Sequence, residues 1–380
     1  MKPVKIGLFG YGTVGEAFCQ ALSSFPELSV SVEKICIRHP EKSRSNSPYY
    51  FTSQASELLH DPAIDLIVEL IDDAEAAYHI VKEALQKKLP VISANKKMIA
   101  AHLLELIALQ RQYQVPLLYE ASCGAGLPII RLLEQYYSHE LPVTLRGIIN
   151  GSTNYILSQM HVQQLSYSDA LLQAVQHGFA ETNPANDTEG HDAVSKWRIL
   201  LAHGLGITET NTPILFSGIT HVSPLDIQVA QSRGACIKLV ANIYKTDSSQ
   251  YAAFVLPQWV AKKDNLYDVA NEYNGVEWQS SQAGTHFFKG KGAGGEATAA
   301  AVLADVAAWQ QQYLYPYTKQ QAPLLPQLQH NYYLNVYVSA DGCPLPAAAC
   351  FEWIEEQHIS RKHSWLTGVV HVSELLQNNW

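Results

Sequence analysis

The segment that most restricts this chain is Gly10-Tyr11-Gly12-Thr13-Val14-Gly15. It follows a short apolar run, Val4 to Phe9, and opens an Ala/Phe/Leu-rich helical stretch that reaches about Ser24. A second apolar stretch, Leu28 to Ile37, comes next. Strand, glycine turn, helix and strand in that order make a βαβ unit, whose crossover is right-handed by default. The first glycine permits the tight turn. The second lets the backbone approach a pyrophosphate, and the third lets helix and strand pack closely. The helix start then offers free N–H groups and a partial positive charge to the phosphates. A plain turn would use glycines too, but the strand before and the helix after favour a dinucleotide.

The alternation continues. Ile64 to Ile71 reads as strand, Ala74 to Lys87 as helix, Pro90 to Ser93 as strand, Lys97 to Tyr113 as helix and Val115 to Tyr119 as strand. This cadence predicts an α/β fold with a Rossmann-type doubly wound parallel sheet through about residue 135. Beyond it, Leu145 to Ile149 is strand-like and longer helices follow, with strands again at Ile237 to Tyr244 and Tyr251 to Leu256. A mixed α+β second domain over 136–296 is expected. Ala297 to Gln312 is an Ala-rich helix returning to the first domain, which then comprises 1–135 plus about 297–318. Lys319 to Gln329, with Pro323 and Pro326, reads as a linker. Residues 330–380 form a short α/β appendage: a strand at Tyr332 to Val338, a helix at Ala347 to Gln357 and a closing strand at Leu366 to Val372.

Composition excludes several classes. The 26 basic and 35 acidic residues leave a net charge of -9, with no dense Lys/Arg stripe, so a nucleic-acid partner is not expected. No apolar run approaches the roughly 18 residues of a membrane span, so no membrane partner is expected. The start at Met1 lacks the apolar core and cleavage site of a signal peptide. Six scattered cysteines contain no C-x-x-C pair, which fits reduced thiols and a cytoplasmic location. Fifteen histidines contain no H-E-x-x-H, so no zinc site is expected from them.

Four segments carry candidate chemistry. After the second strand the chain reads Ile37-Arg38-His39-Pro40-Glu41-Lys42-Ser43-Arg44. An acidic residue there would bond a ribose 2′-OH, whereas Arg38, with Lys42 and Arg44 nearby, suits a 2′-phosphate. NADP is therefore favoured over NAD, and ordinary surface charge is the plainer alternative. Lys96 lies in the Val91 to Lys97 segment, at the carboxyl edge of a strand, where ligands sit; a solvated helix-start lysine would look the same. Glu120 to Pro128 is rich in small residues and forms an irregular turn, whose carbonyls suit a monovalent cation as well as simple packing. Cys123 there has no neighbouring base in sequence, which disfavours a nucleophile. Gly178 to Lys196 is the densest polar segment. Asp192 and Lys196 are spaced i, i+4 and share a helix face. An exposed pair of that kind is worth only about 0.3–0.5 kcal/mol. Ala193, Trp197, Ile199 and Leu200 mark a packed helix instead. A lysine near buried carboxylates can act as a proton donor.

Taken together, these segments resemble the homoserine dehydrogenase family over most of residues 4–308. The matching motifs include G-x-G-T-V-G, S-A-N-K-K at 93–97, Y-E-A-S-C-G-A-G-L-P-I-I at 119–130 and G-I-I-N-G-S-T-N-Y-I-L at 147–157. Two more are G-F-A-E-T-N-P-A-N-D-T-E-G-H-D-A-V-S-K at 178–196 and K-G-K-G-A-G-G-E-A-T-A at 289–299. The resemblance implies reversible NAD(P)H-dependent reduction of L-aspartate 4-semialdehyde to L-homoserine, on the route to threonine and methionine. It implies Lys196 as proton donor with Lys96 assisting. Glu181 and Asp192 would hold the substrate, with Asp187 beside them and Gly151 and Ser152 in the substrate loop. Gly10, Gly12, Thr13, Val14, Gly15, Arg38, Ser93, Lys96, Gly178 and Gly292 would face the cofactor. Glu120, Cys123, Ala125 and Leu127 would form a sodium site made largely of carbonyls. The α+β domain would serve substrate binding and dimerisation, and the chain would be a homodimer.

The chain departs from the family pattern in places. Asp72-Asp73 stand where the family often has Gly-Gly, Phe179 where it commonly has Tyr, and Asn183 where it commonly has Asp. Lys291 replaces a common Pro or Ala. The tail opens like the ACT regulatory unit of many relatives, though its length is short for a complete one. Two other readings stay open: an oxidoreductase of another small amino-acid aldehyde, and a non-catalytic dinucleotide-binding regulator. The presence of Lys96, Glu181, Asp192 and Lys196 argues against the second.

Overall fold

Val4–Phe9 forms β1, whose last four residues are buried. A parallel strand covered by helices on both faces has no wet side, which is why its apolar run is unbroken. The computed structural model describes residues 3–39, 48–208, 213–340, 344–360 and 363–378. After β1 come α1 (Thr13–Leu22), β2 (Val30–Cys36), β3 (Tyr50–Thr52), α2 (Ser56–Leu59), β4 (Leu66–Glu69) and α3 (Ala74–Gln86). β5 (Val91–Ser93), α4 (Lys96–Tyr113) and β6 (Leu117–Leu118) complete the unit. All the strands pair in parallel, in the order β3-β2-β1-β4-β5-β6. The chain winds from β1 to β2 and β3 on one side, then to β4, β5 and β6 on the other. That reversal opens a crevice beyond the carboxyl ends of β1 and β4.

A second assembly follows: α5 (Ile129–Arg131), β7 (Thr144–Ile148), α6 (Gly151–Gln163), α7 (Tyr167–Gln176), α8 (Ala185–Thr188), α9 (His191–Leu205), β8 (Leu215–Phe216) and α10 (Pro224–Ser232). It continues with β9 (Ala235–Lys245), β10 (Gln250–Ala261), β11 (Tyr273–Ser280), β12 (Gly284–Lys291), α11 (Gly295–Gln310) and β13 (Gln327–Leu328). Its mixed sheet runs β12-β11-β7-β9-β10-β13, with β8 also beside β10. Helix α9 touches α4 on the first sheet and β9 on the second. It therefore carries its side chains to the junction between the two. Helix α11 packs along α1. One apolar core runs through both assemblies, from Ile6 and Leu8 to Ile243 and Trp278.

The tail is a three-stranded antiparallel sheet, β14 (Tyr333–Ala340), β15 (Trp353–His358) and β16 (Ser364–His371), closed by α12 (Val372–Asn378). It docks on the second assembly. The Arg233 guanidinium lies 5.3 Å from the ring centres of both Trp259 and Trp365, and Tyr337 donates to Asp226 at 2.9 Å.

Two expectations are corrected here. Ala347 to Gln357 is not a helix. Its Ala and Glu residues favour one, but pairing with β16 makes Trp353–His358 a mostly exposed edge strand. The closing strand expected from Leu366 is present as β16, Ser364–His371, in the middle of the small sheet. Lys319 to Gln329 is not a free linker. Lys319 is buried, donating to the Leu133 and His203 carbonyls at 2.7 and 3.1 Å, and Gln327–Leu328 pairs with β10. The antiparallel hairpin β11–β12 and helix α10 were not foreseen, although the Ser223-Pro224 start with Asp226 is a readable capping box.

Candidate active site

The glycine turn is built as its spacing requires. Gly10 has φ +94, and a Cβ there would lie 2.6 Å from the Leu70 carbonyl oxygen. A Cβ on Gly15 would meet the Gly10 carbonyl oxygen at 2.5 Å, while one on Gly12 would meet nothing within 4 Å. Gly12 is therefore open on the side a ligand would use. No side chain caps the start of α1, so its first N–H groups are free to bind an anion.

Facing this turn is a cavity of about 380 Å³ between the two assemblies. Thr13 and Val14 line it from α1, Leu70 to Asp72 follow β4, and Ala94 and Lys96 follow β5. From the second assembly come Asn150, Gly151, Ser152, Glu181, Asp187, Asp192, Lys196 and the Gly292 to Gly295 turn. Most of the expected site residues thus meet in one place.

At its centre is Asp192, which is 1% exposed. Lys96 Nζ lies 2.7 Å from its Oδ1 and Lys196 Nζ 2.8 Å from its Oδ2. Asn150 donates to Asp192 Oδ2 at 2.7 Å and to Asp187 Oδ1 at 2.8 Å. Burial alone would raise the Asp192 pKa. The two ammonium groups overcome that and hold its carboxyl far below the usual range. Burial likewise works against the charged form of Lys96, and Asp192 outweighs it, so the Lys96 pKa is raised. Lys196 donates its second hydrogen to the Ile149 carbonyl at 2.8 Å. An ammonium has three donors, and among the described residues the third has no protein acceptor. Both Asp192 oxygens are occupied, so this residue orients the lysines. Glu181, exposed on the wall, and half-buried Asp187 are freer to meet a substrate ammonium.

Other expected residues sit apart. Ser93 is fully buried, and its hydroxyl donates to Glu69 Oε2 at 2.6 Å. Gly178, with φ +75, is in the turn after α7 and does not line the cavity. Gly292 does line the cavity, and a Cβ there would collide with Asn274 at 2.1 Å. Arg38 pairs with Asp73 at 2.8 Å, while Lys42 and Arg44 lie outside the described residues. The Glu120 carboxylate accepts from the Ile130 and Arg131 N–H groups at 2.7 and 2.9 Å. Burial, with Asp305 nearby, raises it to about 8. Cys123 is buried and its thiol is pushed up to about 12 by burial, which removes it as a nucleophile. Leu127 is buried, and Ala125, at φ +48, reaches the cavity wall.

Two functional residues were missed. Asn150 caps α6, accepting from Thr153 N at 2.8 Å, while its amide bridges two carboxylates. An Asn directly before a helix start was a readable cap signal. Glu69 is fully buried, accepts from Ser93 and from Ile71 N at 2.8 Å, and is pushed up to about 7 by burial. It ties together the carboxyl ends of β4 and β5 at the rim of the crevice.

Residues 128–307 match the family model described as homoserine dehydrogenase, and residues 10–120 match the homoserine dehydrogenase NAD binding domain. Homoserine dehydrogenase of Helicobacter pylori is 35% identical over 312 residues, covering 80% of this chain and 73% of that protein. That of Bacillus subtilis is 31% identical over 317 residues, covering 81% and 73%. The solved homoserine dehydrogenase of Thiobacillus denitrificans superposes with a TM-score of 0.87 at 26% identity, covering 99% of this chain and 93% of that one. A hyperthermophilic archaeal homoserine dehydrogenase in complex with NADPH gives 0.69 at 25% identity, covering 83% and 99%. Among the described residues no helix is long and apolar enough to cross a membrane.

Proposed function

The chain belongs to the homoserine dehydrogenase family of NAD(P)-dependent oxidoreductases, and from that premise we propose that it interconverts L-aspartate 4-semialdehyde and L-homoserine in threonine and methionine biosynthesis. The observation that carries this is the Lys96–Asp192–Lys196 cluster in the cavity that the glycine turn also borders.

When bound, the dihydronicotinamide supplies the hydride. The protein supplies the rest. Lys196 points its free donor into the crevice and stabilises the charge that develops on the aldehyde oxygen. It then gives that oxygen a proton, which becomes the hydroxyl proton of the product, and the neutral amine is reprotonated from water. Lys96 shares Asp192 and adds positive charge to the same wall. Asp192 and Asn150 fix both lysines, so little reorganisation is needed during the reaction. Glu181 and Asp187 suit the substrate ammonium.

The cofactor is proposed to be NADP, with NAD as the alternative. For the sodium ion, the Glu120 carboxylate is already turned to the N–H groups of α5. A cation there would be held by backbone carbonyls alone, and no step of the reaction depends on it. Among the described residues no group of three His, Cys, Asp or Glu side chains could hold a metal. A homodimer and a cytoplasmic location belong to the same proposal. So does the division into 1–135 with about 297–318, 136–296 and a tail of 330–380.

The test follows reduced-nicotinamide absorbance with homoserine and each oxidised cofactor in turn. Homoserine-dependent reduction of at least one cofactor is expected. Silence with homoserine, together with turnover of a different amino alcohol, would replace this reading by the sibling oxidoreductase.

A further inference from the structure

Strands β2 and β4 flank β1, and the side chains just beyond their carboxyl ends meet across it. Arg38, two residues past β2, places Nη2 2.8 Å from Asp73 Oδ2. Asp73 is not free to turn away. Its other oxygen, Oδ1, accepts from Glu75 N at 3.1 Å and Ala76 N at 3.0 Å, capping α3. The cap thus fixes the carboxylate, and the carboxylate holds the guanidinium. Asp72, immediately before it, lines the cavity.

In folds of this order the end of the second strand meets the adenosine ribose of a dinucleotide. An arginine there serves a 2′-phosphate through paired charge-assisted bonds. Here that arginine already has a carboxylate partner. A 2′-phosphate would have to share it with Asp73 and carry its own negative charge beside that carboxylate. A ribose 2′-OH has no such conflict, and Asp73 Oδ2 can accept from it.

We infer that Asp73 is a specificity-determining residue: by holding Arg38 it weakens discrimination in favour of the 2′-phosphorylated dinucleotide and admits NAD(H). This rests on the dinucleotide-binding reading of the crevice. It reassigns the carboxylate from a helix cap alone to a cap that also reads the cofactor.

The test is a fluorescence titration of the purified full chain with NADPH and with NADH, which reads binding without turnover. Asp73→Asn and Asp73→Ser both keep a good capping side chain but remove the charge. For each, NADPH affinity is expected to rise by about 3- to 20-fold, because Arg38, released from its carboxylate, pairs with the 2′-phosphate in screened solvent. NADH affinity is expected to stay within about threefold, because either replacement can still hydrogen-bond a hydroxyl. Adding Arg38→Ala to Asp73→Asn should cancel the NADPH gain. An NADPH-to-NADH ratio unchanged within twofold in both variants, with normal melting temperatures, would overturn the assignment. So would a gain that survives Arg38→Ala. If the unsubstituted protein bound neither dinucleotide, the dehydrogenase reading itself would fall, and the role of Asp73 with it.

Discussion

Lys196 Nζ lies 2.8 Å from Asp192 Oδ2, one helical turn back along α9, and neither side chain is more than one-tenth exposed. The pair is therefore not a surface bridge, and its remaining donor faces the cavity. Lys196→Ala should lower kcat by about 10²–10⁴-fold, the usual range for losing a positioned general acid. NADPH affinity by fluorescence titration should change by less than about threefold, since the glycine turn is untouched. Lys196→Arg keeps the charge but cannot release a proton near neutral pH, so it should not restore turnover. Near-normal kcat in either variant would remove the donor role.

Asp192→Asn tests the centre of the cluster. It leaves two ammonium groups facing a neutral amide in a buried site. Breaking a buried pair this way costs about 3–5 kcal/mol, so a clear fall in melting temperature is expected. The pH dependence has a definite sign. The folded Asp192 pKa is depressed, so its contribution is present above the unfolded carboxylate value of about 3.9. It is lost as pH falls through and below that value toward the folded pKa. The parent protein should lose stability on acidification below about pH 4, and Asp192→Asn should lose less over the same interval. Parallel curves for the two proteins in urea unfolding would contradict the assignment.

Glu69 behaves in the opposite sense. Burial raises it from 4.5 to about 7. A carboxyl whose folded pKa is raised binds its proton more tightly in the folded state. Stability then falls as pH rises from about 4.5 to about 7 and levels off above, a change of about 3 kcal/mol for this shift. Glu69→Gln should flatten that part of the curve. Glu120 and Asp305 are also raised, to about 8 and about 7, so the quantity to compare is the difference between parent and variant. Gln resembles the protonated carboxyl: its oxygen accepts from Ile71 N and its amide donates to the Ser93 oxygen. Little stability should therefore be lost at pH 5, where the parent carboxyl already carries its proton. A parent-minus-variant difference that does not change between pH 5 and 8 would rule out Glu69 as the titrating group.

The centre of the parallel sheet was legible because β1, β4 and β5 are largely buried and end at turns of recognisable chemistry, as at Phe9-Gly10 and Ser93-Ala94, whereas the short, partly exposed edge strand β3 was not. The lysines were legible as candidates for the same reason, since each follows a strong local signal. The hairpin β11–β12 was not. Strands such as Gly284–Lys291 are half-exposed and carry His, Lys and Thr among the apolar positions, so no clean period marks them. Asn150 shows a different limit. Its cap role is local, but its bridge to Asp187 and Asp192 joins positions 37 and 42 residues away, and only the packing of α9 against the second sheet creates it. The reversed role of Ala347 to Gln357 has the same origin, because tertiary pairing there outweighs local helix preference.

The glycine turn offers a pair of substitutions that separates folding from binding. Gly10 sits at φ +94 with its Cβ position 2.6 Å from the Leu70 carbonyl oxygen. An alanine there is strained in backbone and blocked by backbone, so β1 and β4 must move apart. Gly10→Ala should cost about 1–3 kcal/mol or more, through strain at a special φ and overpacking. Gly12 has φ -91 and open space within 4 Å. Gly12→Ala should fold with a melting temperature close to that of the parent. Its new methyl group would stand where a pyrophosphate must approach the backbone, so dinucleotide affinity should fall by about tenfold or more, equivalent to about 1.4 kcal/mol. Calorimetry and NADPH titration on the two variants read the two effects separately. A Gly12→Ala protein that binds NADPH as tightly as the parent would place the dinucleotide elsewhere than against this turn.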